Sequence, residues 1–110
     1  MKISAILHKV GKEHSQELRG KVARALKFSD IVIGPDYALN YNPTKVSSSK
    51  YYNNLISMYA SLSTKHPNTL IIPGTILHSI DGEQLVCEAP VFLNGKLNRQ
   101  LWKDSDNGEV

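Results

Sequence analysis

Apolar positions along the chain recur with two different periods, and the changes of period divide it into elements. KISAIL, residues 2 to 7, alternates, with Ile3, Ala5 and Leu7 on one face, and predicts a strand. Ser15 is placed to cap the helix that follows, and Glu17 suits its first turn. Leu18, Val22, Ala25 and Leu26 then fall at i, i+4, i+7 and i+8, which is one buried helical face. Gly20 weakens that helix by up to about 1 kcal/mol but lies off the stripe. DIVIG, residues 30 to 34, is apolar on both faces and breaks at Gly34-Pro35.

A polar loop rich in Asn and Ser runs from Asn40 to Ser49, and a second helix follows with Tyr52, Leu55, Ile56, Tyr59 and Leu62 in register. Lys65 and His66 favour its C-terminal end, and Pro67 stops it. TLIIPG, residues 69 to 74, predicts a third buried strand. The remainder predicts hairpins: TILHSI, Asp81-Gly82, EQLVCEAPVFL, Asn94-Gly95, then KLNRQLW. Asp-Gly and Asn-Gly favour two-residue hairpin turns because both central residues there need positive φ.

The order β-α-β-α-β implies right-handed crossovers and parallel strands, extended by antiparallel ones. The predicted class is therefore α/β, with a mixed sheet and both helices on one face. IVI and LII are apolar on both sides, yet two such helices cover only one of them. An uncovered face would exceed the apolar patch a monomer tolerates. Self-association through that face is the expectation.

Composition narrows the picture. A chain of 110 residues predicts one domain over residues 1–110, burying about two-thirds of its unfolded surface. At 41% hydrophobic and 21% charged residues it has the make-up of an ordinary soluble protein. The net charge of +3 comes from scattered Lys and Arg, with no basic run interleaved with aromatics, so specific nucleic-acid binding is not expected. MKISAILHKVG carries only a short apolar run, too short for a signal sequence or a bilayer span, so no membrane role is expected. The single cysteine excludes an internal disulfide and a Cys-rich zinc cluster, and a cytoplasmic location is the default.

Few residues invite chemistry. Asp36 sits just past the end of a central strand, where open α/β sheets place ligands. Pro35-Asp36 is also an ordinary turn pair. Lys103, after Leu101-Trp102, is a surface lysine unless the fold brings it beside Asp36, where acid and ammonium would divide the work of base and oxyanion stabiliser. Cys87 shares a strand face with Leu85 and Ala89 and reads as a small buried hydrophobe. Pro90 in the same stretch points to an edge or bulge. His8, His14, His66 and His78 have no metal spacing, and His78, on a face with Ile76 and Ile80, reads as a hydrogen-bonded core histidine. No phosphate-cradling glycine loop is present and no cofactor is expected.

Taken in order, these stretches resemble the N-terminal part of the nitrilase, or carbon–nitrogen hydrolase, superfamily. KISAIL is similar to its first strand, and ELRGKVARALKFSDIVIGPDYAL to its first helix and the strand ending in Pro-Glu. YYNNLISMYASLS resembles the second helix, and TLIIPGTIL the strand with a Gly-Ser/Thr step. DGEQLVCEAPVFLNGKLNRQLWK resembles the hairpins ending at the family lysine.

The resemblance implies half of an αββα sandwich, a small amide or nitrile substrate, assembly into homo-oligomers, and no metal or organic cofactor. It places Asp36 on the general-base glutamate and Lys103 on the lysine that stabilises the tetrahedral intermediate. Asp in place of Glu withdraws the carboxylate by roughly one methylene, and a misplacement of about 1 Å can cost around a hundredfold in rate. The family's nucleophilic cysteine lies in a later turn, beyond Val110, and Cys87, upstream of the lysine, does not replace it. The Asn common in the family near Cys87-Glu88 is also unmatched. The expectation is a truncated or degenerate domain, inactive alone, or a self-associating or partner-binding module on the same scaffold.

Overall fold

The computed structural model describes residues 1–7, 15–35, 39, 47–80, 84–98 and 102–104. Its elements run β1 (Ile3–Ala5), α1 (Ser15–Ala25), β2 (Ile31–Ile33), α2 (Ser49–Thr64), β3 (Leu70–Ile72), β4 (Ile76–Ile80), β5 (Gln84–Glu88), β6 (Val91–Leu93), β7 (Lys96–Asn98) and β8 (Trp102–Asp104). The class is α/β, as the alternation of periods implies. A five-stranded sheet has the order β1-β2-β3-β6-β7, and β4-β5-β8 form a separate three-stranded sheet.

The first three strands are parallel, with Ile3 opposite Ile31 and Ile31 opposite Leu70. Helical crossovers make this possible. Strands β6 and β7 then extend the sheet antiparallel. Their hairpin turns on Asn94 and Gly95, at φ 49° and 79°, the pair of positive values that Asn-Gly supplies at least cost.

Both helices lie against one face of this sheet. Leu18, Val22, Ala25 and Leu26 of α1 and the segment after it join Tyr52, Leu55 and Tyr59 of α2 in one core with Val32, Ile71 and Phe92. Those three sheet residues are wholly buried. Ser48 caps α2, its side chain accepting from the Tyr51 N–H, and the helix closes at Lys65, whose N–H reaches back to Leu62.

The opposite face carries two rows of aliphatic side chains. Pairing places Ile3, Ile31, Leu70 and, one step from the Ile71–Phe92 pair, Leu93 in the first row. Ala5, Ile33, Ile72 and Val91 form the second by the same alternation. Val91 is buried, but Ile33 is 39%, Leu93 48% and Ile3 60% exposed. The two helices leave this face open.

Two features of the second half differ from the expectation of a single meander. EQLVCEAPVFL is not one strand: Ala89-Pro90 divides it into β5 and β6, which belong to different sheets. Proline has no N–H to donate, so the ladder ends there and the chain changes sheet. KLNRQLW is likewise divided, β7 pairing with β6 and β8 with β5. The Asp81-Gly82 turn lies outside the described residues, but its two arms pair antiparallel over five positions, Ile76 opposite Glu88 through Ile80 opposite Gln84.

Candidate functional site

The C-terminal ends of β2 and β3 meet closely. The Gly34 N–H donates to the Ile72 carbonyl at 2.7 Å, and a Cβ on Gly34 would lie 1.8 Å from the Pro73 carbonyl oxygen. Only glycine permits this approach. Downstream, the Leu39 N–H donates to Thr75 O at 3.3 Å and the Ser47 N–H to Leu77 O at 3.0 Å. Gly34, Leu39 and Ser47 are thus each fastened to the segment from β3 into β4.

Asp36 lies outside the described residues. Lys103 is described by its backbone, in β8 opposite Cys87, which in turn faces Leu77 of β4. Two strand spacings, about 10 Å, therefore separate the Lys103 backbone from Leu77. Cys87 is buried at 7% exposure, as its apolar face-mates imply, and presents no accessible thiol.

The polar centre that the fold does assemble was only half visible in the sequence. The β4–β5 register sets His78 opposite Val86 and Ile76 opposite Glu88, so all four side chains share a face, and each is less than 5% exposed. Tyr52, in the first turns of α2, completes the cluster. Its hydroxyl donates to Glu88 Oε1 at 2.7 Å, and His78 Nε2 lies 2.7 Å from the same oxygen. The Tyr52 and His78 rings stack at 4.0 Å with 14° between their planes.

The Tyr52 hydroxyl donates to this oxygen, and His78 Nε2 donates to it in the tautomer that carries its proton there. A wholly buried carboxylate is costly unless it is paired and hydrogen-bonded, and here the Tyr52 hydroxyl and His78 Nε2 both lie within hydrogen-bond distance of Oε1. The cluster joins α2 to the three-stranded sheet, next to the bridge between Ser47 and His78. Carboxylate, imidazole and phenol can together hold and pass a proton. At 0% exposure for Glu88, however, no substrate atom reaches it, and its work is to position the elements around it.

His78 thus fits the hydrogen-bonded core histidine expected from its strand face. Glu88 and Tyr52 went unrecognised. The available signal was a charged residue, Glu88, in step with Val86 on the same strand face. Among the described residues no group of His, Cys, Asp and Glu has metal-ligand geometry. No described helix is long and apolar enough to cross a membrane. Compared with family models, curated proteins and solved structures, the chain matches none.

Proposed function

We propose that this chain is one layer of a carbon–nitrogen hydrolase-like sandwich that works by association, its open sheet face closing on a second copy, and that by itself it does not turn over amides. The observation that carries this reading is the open face: two aliphatic rows across four strands, with Ile3, Ile33 and Leu93 exposed. Parallel β1-β2-β3 with both helices on the other side is the arrangement one half of an αββα sandwich requires. Sheets pack face to face about 10 Å apart through such rows.

A second copy suits the face because the rows carry no charge until Lys96, which lies opposite Leu93 at one edge. An uncharged aliphatic surface is self-complementary under a two-fold axis. On this reading Asp36 and Lys103 stand at the base and oxyanion positions. The one thiol of the sequence, Cys87, is enclosed in β5 and cannot attack a carbonyl carbon.

Sedimentation velocity at micromolar concentration tests the association. The expected result is a dimer or larger species, with the Ile3→Glu/Leu93→Glu variant sedimenting as a folded monomer. A wild-type chain that remains monomeric throughout would overturn the proposal. The chemical arm is ammonia release from simple amides: no turnover is expected. Release that disappears in both Asp36→Asn and Lys103→Ala would replace the module reading with an enzymatic one.

A further inference from the structure

On the helical side of the molecule, away from the open sheet face, residues of α1 and α2 together with Leu39 line a cavity of about 190 Å³. Leu18, Leu39, Leu55 and Met58 supply its apolar walls. An engineered apolar cavity of about 150 Å³ holds benzene. The space between these helices is therefore sufficient for one aromatic ring with a short substituent.

Its polar groups gather from both helices. Arg19 of α1 lines the cavity, is exposed, and forms no ion pair among the described residues. Tyr59 of α2 lines it too and is only 1% exposed, yet its hydroxyl makes no hydrogen bond among the described residues. Burial pushes the Tyr59 phenol well above its ordinary value, Tyr51 adds to the rise, and Arg19 acts in the opposite sense. Tyr59 therefore remains a neutral donor within electrostatic reach of a guanidinium. An apolar cleft with a few convergent polar groups is the general form of a small-molecule site.

We infer that this cavity binds a small aromatic carboxylate, its ring between Leu18, Leu55 and Met58, its carboxylate accepting from the Tyr59 hydroxyl and the Arg19 guanidinium. The two donors differ in kind, and the assignment uses both. Arginine presents a planar fork matched to a carboxylate, and the phenol supplies a fixed donor already removed from water. The inference does not depend on how the sheet face is covered, so it stands or falls separately from the association proposed above.

The test is titration of the isotope-labelled chain with benzoate, and in parallel with uncharged benzyl alcohol, followed by amide chemical shifts. Saturable shifts confined to residues 16–19 and 51–59 are expected with benzoate. Binding should weaken at least about tenfold in Arg19→Gln and with benzyl alcohol, the scale of one charge-assisted hydrogen bond. Tyr59→Phe should also weaken benzoate binding while leaving the melting temperature unchanged or higher, since the hydroxyl makes no hydrogen bond among the described residues. A purely structural tyrosine would lower the melting temperature instead. Shifts that do not saturate at millimolar benzoate or fall elsewhere, equal binding of benzyl alcohol, or equal affinity in both variants would each overturn the inference.

Discussion

At Glu88 a phenol and an imidazole converge on one carboxylate oxygen, and replacing that residue removes a hydrogen-bond partner from each at once. Glu88→Leu leaves His78 and Tyr52 buried around an apolar side chain. Breaking a buried pair in this way costs about 3–5 kcal/mol, because the remaining group is desolvated without compensation. Adding His78→Phe and Tyr52→Phe should recover much of the loss, since apolar residues of similar size often replace a buried pair without penalty. Urea denaturation at constant slope checks this: the single variant unfolds at markedly lower urea, and the triple variant lies between it and wild type. A single variant as stable as wild type would mean that the cluster holds nothing in place. His78 was readable because a histidine between isoleucines on one strand face needs a partner. The identity of that partner was not readable, because it depends on cross-strand register and on which helix arrives above it.

Elements were legible where one period governed and obscure where a proline intervened. The α1 stripe from Leu18 to Leu26, the α2 stripe through Tyr59 and the Asn94-Gly95 turn are local consequences of sequence, and the structure contains all three. The division of residues 84 to 93 between two sheets is not local. Pro90 signals an interruption, but where the chain goes afterwards is decided by β3, which accepts Phe92 opposite Ile71. Asp36 and Lys103 belong to the same difficulty, since their relation depends on how the ends of two sheets are arranged. Gly34 is the tight point in that arrangement. Its missing Cβ would lie 1.8 Å from Pro73 O and 2.5 Å from the carbonyl carbon, both backbone atoms that cannot swing aside. Gly34→Ala must therefore force β2 and β3 apart, with an expected loss above about 3 kcal/mol, in the range reserved for core overpacking and backbone conflict. A thermal melt reads the loss directly, whereas Gly20→Ala, whose Cβ would meet only the Arg24 side chain at 3.5 Å, should leave the melt unchanged or raise it.

For the molecule as a whole, the legible feature was a surplus. IVI and LII require cover on both sides, and a right-handed β-α-β-α-β run supplies it on one. The structure places the leftover aliphatics in two rows, with Ile33, Leu93 and Ile3 at 39%, 48% and 60% exposure. If a second copy covers them, folding and association are linked, and stability must depend on concentration. Each tenfold rise in protein concentration adds about 1.4 kcal/mol per dimer. Unfolding entropy of about 2.1 cal/mol/K per residue, summed over two 110-residue chains, converts this to roughly 3 °C in melting temperature per tenfold. Calorimetry over two decades of concentration should therefore show a rise of about 6 °C in the wild type. The Ile3→Glu/Leu93→Glu variant should give a flat line. Equal slopes in the two proteins would place any association elsewhere on the surface, and no slope in the wild type would leave the open face as a property of a stable monomer.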